Sequence, residues 1–176
     1  MTNNEVSRRH FLRGGFLTSL QSQQVKQQGF RAIRPPWSID ESDFITACNR
    51  CGDCIQACET QILLKGEGGF PEVSFAQGEC TFCRRCVEVC QQPLFRPPEE
   101  TPWTHGVEIL DSCLIKQRIE CRSCGDSCEM RAIRFKPALG GIAQIVLNTD
   151  DCNGCGACIR SCPIHAIKIS YPEHKE

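Results

Sequence analysis

Short apolar stretches separated by glycine-rich polar breaks recur along this chain. Ile62-Leu63-Leu64-Lys65, then Gly66-Glu67-Gly68-Gly69, then Val73-Ser74-Phe75 reads as two strands joined by a tight turn. The same grammar returns in Ala132-Ile133-Arg134-Phe135, Leu139-Gly140-Gly141 and Ile145-Val146-Leu147, and Ala166-Ile167-Lys168-Ile169 supplies a further short strand. What lies between these pieces is too short for more than turns and single helical turns. The pattern predicts an α+β chain with small antiparallel sheets and short helices. No stretch approaches the roughly 18 consecutive apolar residues of a membrane span, so a soluble protein without one is expected.

Composition sharpens the picture. The chain has 176 residues and nearly balanced charge, 20 Lys and Arg against 21 Asp and Glu, so no basic field for nucleic acid is implied. Its 40% hydrophobic share includes 16 cysteines, with one Tyr and two Trp. Such thin carbon-packing material argues for a fold assembled around something the cysteines bind.

The cysteines fall into runs. Cys48, Cys51, Cys54 and Cys58 read C-x2-C-x2-C-x3-C, as do Cys80, Cys83, Cys86 and Cys90, and Cys152, Cys155, Cys158 and Cys162. Cys121, Cys124 and Cys128 keep the last three positions, and Cys113 lies upstream of them. Sulfurs crowded this closely do not readily pair at relaxed disulfide geometry, and zinc ribbons normally combine two C-x2-C knuckles rather than this run. The run is the bacterial [4Fe-4S] signature, in which three thiolates of a short loop hold one cluster and the fourth cysteine serves the other cluster of a pair. Gly52, Gly125, Gly154 and Gly156, inside or beside the runs, suit loops that turn backbone N–H groups toward a buried anion.

A longer repeat organises the runs. The separations Cys51 to Cys83 and Cys124 to Cys158 are nearly equal, which pairs run one with two and three with four, each across a hairpin. Arg34-Pro35-Pro36-Trp37 is echoed by Arg96-Pro97-Pro98 and Pro102-Trp103, which aligns Cys113 with Cys48 as the first ligand of its half, its gap stretched by five residues. An unrelated buried thiol is the alternative for Cys113. Under the crossed rule, Cys48, Cys51, Cys54 and Cys90 form one set, and Cys80, Cys83, Cys86 and Cys58 the second. Cys113, Cys121, Cys124 and Cys162 form the third, and Cys152, Cys155, Cys158 and Cys128 the fourth. Nested pairing of run one with four and two with three also uses all sixteen, and spacing leaves both open. Four [4Fe-4S] clusters follow in either case. The stretched gap makes the third set the expected labile one.

The predicted domains are an arm, 1–34; a first ferredoxin-like lobe, 35–91; a proline-rich connector, 92–104; a second lobe, 105–171; and a tail, 172–176. Each lobe resembles a bacterial-type 2[4Fe-4S] ferredoxin. The arm is expected to be either a flexible tail or a docking segment: Leu12, Phe16, Leu17 and Leu20 would share one side of a helix near Arg8, Arg9 and Arg13, but Gly14 and Gly15 would cost that helix about 1 kcal/mol each, so it would form only against a partner. Ser7-Arg8-Arg9-His10-Phe11-Leu12-Arg13 resembles a twin-arginine export signal, which leaves a periplasmic location as the alternative, although the following stretch is too diluted by glycine and glutamine for an ordinary apolar region. The histidines, His10, His105, His165 and His174, are scattered and are expected at the surface. Arg84 and Arg85 in the second run and Asp53 in the first would shift the potentials of their clusters in opposite senses if they faced them.

The four runs, the Ile33-Arg34-Pro35-Pro36-Trp37 motif, the Cys121–Glu129 segment and the Leu139–Gln144 segment followed by Cys152-Asn153-Gly154-Cys155-Gly156-Ala157-Cys158 resemble the NapF-type ferredoxins of periplasmic nitrate reductase systems. The resemblance spans 33–170. It implies a cytoplasmic, non-enzymatic protein with four [4Fe-4S] clusters that associates with the precursor of the catalytic subunit, NapA, and assists its maturation before export. A general electron-transfer ferredoxin is the alternative. An iron–sulfur enzyme with an open iron is the weakest reading, because sixteen thiolates divide into four complete sets and no catalytic arrangement of side chains is legible.

Overall fold

The computed structural model describes residues 32–138 and 140–171. The arm through residue 31, Leu139 and the tail from residue 172 lie outside the described residues, as do the expectations resting on them, including His10 and His174. Among the described residues no helix is long and apolar enough to cross a membrane.

Two antiparallel hairpins form where hydrophobic alternation meets glycine-rich turns. In the first, β1 (Leu63–Lys65) pairs with β2 (Pro71–Val73), Leu63 facing Val73. Glu67–Gly69, a turn of 3-10 helix between the strands, places Gly68 and Gly69 at φ 65° and 83°, the left-handed region that glycine occupies without a Cβ penalty. Strand β3 (Gly106–Ile109) then opens the second half. In the second hairpin β4 (Ile133–Lys136) pairs with β5 (Gln144–Leu147). The predicted strand after the last run is β6 (Ile167–Ser170), which pairs with β3 in a third two-stranded sheet. Its counterpart in the first half is the single bridge Ser38–Phe95.

The helices are short because the cysteine spacing leaves no room. Helix α1 (Glu41–Ala47) precedes Cys48, with Glu41 and Asp43 in its first turn where the helix dipole favours negative charge. It buries Phe44 and Ile45 against Phe70 and Leu94. Four helices of about one turn follow, α2 (Asp53–Gln56), α3 (Arg85–Glu88), α4 (Ser123–Asp126) and α5 (Ala157–Ser161), and each contains the third cysteine of its run. Helix α2 meets α3, and α4 meets α5. Gly125 of α4 leaves room for β4, since a Cβ there would lie 2.4 Å from the Phe135 ring.

Two segments differ from expectation. The proline-rich 92–104 stretch does not run free between lobes. Leu94 is buried in the α1 core, the Leu94 carbonyl accepts from the Ile39 amide at 2.9 Å, and the Trp37 amide donates to the Pro102 carbonyl at 2.8 Å. The packed part of the chain also starts before residue 35. The Ile33 carbonyl accepts from the Val73 amide at 2.8 Å, and Arg34, 9% exposed, makes a two-pronged ion pair with Glu41 at 2.8 and 2.7 Å. Its guanidinium also donates to the Pro71 carbonyl and lies over the Phe44 and Phe70 rings. Burial raises the Glu41 carboxyl above its ordinary range although the guanidinium opposes the shift. The pair is therefore costly to break on one side. Arg34→Ala should lower the thermal midpoint of the purified protein by roughly 6 to 12 °C, taking about 3 kcal/mol for an orphaned buried carboxylate. Circular dichroism measures this.

Candidate metal centres

Three of the four runs share a loop built from two left-handed residues flanking the second cysteine. These are Arg50 and Gly52 (φ 61° and 86°), Phe82 and Arg84 (54° and 63°), and Gly154 and Gly156 (76° and 82°). Such alternation of backbone handedness makes a concave run of N–H groups suited to an anion. Three residues after the last cysteine of runs one, three and four, Gln61, Arg131 and His165 are again left-handed, and their amides close on the carbonyls of Cys58, Cys128 and Cys162 at 3.1, 3.0 and 3.2 Å. Run two cannot repeat this turn because Pro93 stands at that position and its ring holds φ negative.

Run three departs at its front. Arg122 stands at φ −132°, and the extra residues form turns in which the Gln117 amide donates to the Cys113 carbonyl at 3.0 Å. These turns carry Ile115 and Cys113 into the core, 5% and 9% exposed.

All sixteen cysteines lie among the described residues as free thiols. Cys128, Cys152, Cys155 and Cys158 line one cavity, walled by Val107, Ile133 and Leu147. Cys113, Cys121, Cys124 and Cys162 line another, walled by Leu114, Ile145 and Ile167. In the first lobe, burial and then the thiols of Cys48, Cys51 and Cys90 push the Cys54 thiol up to about 11. Burial, followed by Cys80, Cys54, Cys83 and Cys58, pushes Cys86 up to about 12. Cys124 and Cys158 are pushed up to about 11 and about 12, again by burial first and then by neighbouring thiols. The second lobe thus gathers two groups of four, each drawing three cysteines from one run and one from its partner, and in the first lobe Cys54 feels Cys90 and Cys86 feels Cys58 across the two runs.

Thiols held this high are protonated at neutral pH, and clustered thiolates repel one another. A cation must therefore displace the protons for the groups to become ligands. Among the described residues no three His, Cys, Asp or Glu side chains converge tightly enough to hold a single metal ion. The cysteines of the second lobe line two cavities, and this suits a polynuclear body held among them. Hydrogen bonds already reach some sulfurs, from the Phe82 amide to Cys80 Sγ at 3.4 Å and from the Ala166 amide to Cys162 Sγ at 3.2 Å.

Two expectations change, and the orientation of two arginines, left open by the spacing, is given. His165 is exposed as expected, but His105 is only 5% exposed. Its Nε2 lies 3.1 Å from the Gly154 carbonyl, and burial lowers its proton affinity. Sequence spacing gave no sign of this contact, which spans 49 residues. Arg84 places its guanidinium 5.9 Å from the Trp37 ring centroid, and Arg85 makes an exposed pair with Glu59, so both have occupations apart from the sulfurs. Finally, the stretched gap does not open the third group. Cys113, Cys124 and Cys162 are all buried there, whereas the Cys48, Cys51, Cys54 and Cys90 group has no buried member and Cys51 is exposed.

The model of the 4Fe-4S dicluster domain family matches residues 47–92 and 117–166. The chain is 52% identical to the ferredoxin-type protein NapF of Haemophilus influenzae over 176 residues, covering 100% of each chain. It is 52% identical to the ferredoxin-type protein NapF of Escherichia coli over 139 residues, 79% of this chain and 85% of that one. With the methylamine utilization ferredoxin-type protein MauM of Paracoccus denitrificans it shares 30% identity, over 85% of this chain and 75% of the relative.

Burial orders the sites by access. A mild iron chelator added to anaerobically purified protein should strip iron from the first lobe before the second, so that Cys51 and Cys83 become alkylated ahead of Cys113 and Cys162 when the reaction is followed by mass spectrometry. Earlier labelling of Cys113 would restore the stretched loop as the weak point.

Proposed function

The chain belongs to the NapF-type ferredoxins, and on that premise we propose that it is an accessory protein with four [4Fe-4S] clusters that assists maturation of the catalytic subunit of a periplasmic nitrate reductase. Cys48, Cys51, Cys54 and Cys90 hold the first cluster. The second takes Cys80, Cys83, Cys86 and Cys58. Cys113, Cys121, Cys124 and Cys162 hold the third, and Cys152, Cys155, Cys158 and Cys128 the fourth. The observation that carries the cluster assignment is the lining of two separate cavities by the third and fourth of these sets. Nested pairing would instead require run four to share its cavities with run one.

Each cluster, when bound, supplies one-electron chemistry at a potential set by its surroundings. The chain's own residues exclude water with apolar walls and aim N–H groups at sulfur. They also bring the sets of one lobe close together, since α2, which carries Cys54, meets α3, which carries Cys86, and α4 and α5 bring Cys124 and Cys158 together likewise. Sixteen thiolates filling four sets leave no open iron for substrate, so the role is non-enzymatic.

The partner is the unexported NapA precursor, met in the cytoplasm, with the arm as the docking segment. This rests on the family resemblance and on the arm's apolar stripe beside Arg8, Arg9 and Arg13. A plain electron carrier is the second reading, favoured by the exposure of Cys51 and Cys83, which brings two loops to the surface of the first lobe.

Anaerobic purification should give about sixteen iron and sixteen sulfide per chain. A chain lacking residues 1–31 should keep that content and lose most of its capture of the NapA precursor in a pull-down. The truncation stops short of Ile33 because its carbonyl is part of the fold. Unchanged capture would favour the carrier.

A further inference from the structure

The repeated Pro-Trp motifs do more than mark the repeat. The Trp37 indole donates to the Glu100 carbonyl at 2.9 Å, and the Trp103 indole donates to the Arg34 carbonyl at 2.9 Å. Each tryptophan is thus tied to the stretch that carries the other's motif. Trp37 is held at φ 61°, an uncommon conformation for a bulky side chain, and the Pro102 carbonyl and the Arg96 amide fix it on both sides at 2.8 and 2.7 Å. Phe82, between Cys80 and Cys83, stands edge-on to both rings, 6.1 Å from Trp37 and 5.8 Å from Trp103.

From Trp103 the contacts continue into the second lobe. His105 lies against it at 4.9 Å with the planes 35° apart. Since the Gly154 carbonyl can only accept, the His105 Nε2 carries a proton and donates to it at 3.1 Å. Gly154 sits between Cys152 and Cys155, and a Cβ there would lie 2.8 Å from Nε2. Phe75 of the first lobe stands edge-on to Trp103 and His105 and fills the space beside Gly156, where a Cβ would lie 2.1 Å from its ring. The loops themselves meet, the Cys80 amide donating to the Cys155 carbonyl at 2.9 Å.

We propose that Trp103 and His105 are positioning residues that clamp the loop of the Cys80 set against the loop of the Cys152 set. Resting on the cysteine sets proposed above, this orders them first, second, fourth, third, with the lobe boundary at the middle junction. The first and third sets are then the two ends. Neither residue belongs to a cysteine set; both act by fixing the loops that carry the sets.

Hydrogen exchange of the anaerobic, cluster-loaded full chain, read by mass spectrometry, tests this. In His105→Ala, protection should fall by about fivefold to tenfold, the worth of one buried hydrogen bond, in 152–156 and, across the boundary, in 80–84, while hairpins β1–β2 and β4–β5 keep theirs. His105→Gln, which retains an N–H donor, should recover part of the loss in 152–156. Trp103→Phe keeps a ring and loses the bond to Arg34; it should loosen both loops together and serves if His105→Ala fails to hold its iron. Unchanged exchange at 80–84 in both His105→Ala and Trp103→Phe overturns the proposal, as does an equal loss in the hairpins. Whether the cysteine sets themselves hold is read separately, from the iron and sulfide lost in Cys162→Ser of the otherwise unaltered chain while the loops at 80–84 and 152–156 keep their protection.

Discussion

Mutual repulsion among buried thiolates is the constraint from which the rest of this structure follows. The chain gathers its cysteines into small apolar chambers where burial first, and then neighbouring thiols, raise Cys54, Cys80, Cys86, Cys124 and Cys158 well above an ordinary thiol. Such chambers hold together as ligand sets only if iron compensates the charge. The carbon core is divided accordingly. Phe44, Ile45, Phe70 and Leu94 make one cluster, Ile62, Leu63, Val73 and Phe75 another, and each lines the back of a cysteine loop instead of forming a single interior. A [4Fe-4S] body takes the place that a larger hydrophobic core would fill in a chain of this length.

The repeat supplies economy, and its departures supply individuality. Paired left-handed residues shape three loops, while run three replaces that device with turns that bury Cys113. The β3–β6 ladder of the second lobe shrinks to the Ser38–Phe95 bridge in the first. Because the two tryptophans bond into each other's motifs, the lobes are not beads on a string, and the proline-rich stretch that would separate them is itself packed.

Much of the fold was legible in the sequence because it is local. Hairpins showed in the alternation of Ile62–Phe75 and Ala132–Leu147, and the third position of each run had room for little beyond the one-turn helix found there. The Pro-Trp echo aligned Cys113 with Cys48, and the structure gathers Cys113 with Cys121, Cys124 and Cys162. What stayed hidden is tertiary. Leu94 among prolines has no period to betray that it enters the α1 core. His105 has no spacing partner, since its burial comes from Phe75 and Trp103 closing over it and from a loop far along the chain. Spacing left open whether Arg84 faced its cluster, and the ring of Trp37 is where its guanidinium rests. Extra residues in a ligand loop read as looseness, yet Ile115 turns them inward.

The central claim is that iron–sulfur bodies are the framework around which this polypeptide becomes ordered. Far-ultraviolet circular dichroism and sedimentation of the full chain, compared anaerobically before and after complete removal of iron and sulfide, test it most directly. The account predicts that the stripped chain expands and loses most of its secondary structure, and regains both when iron and sulfide are restored. A stripped chain that stays compact and ordered, or that zinc alone restores, would contradict it.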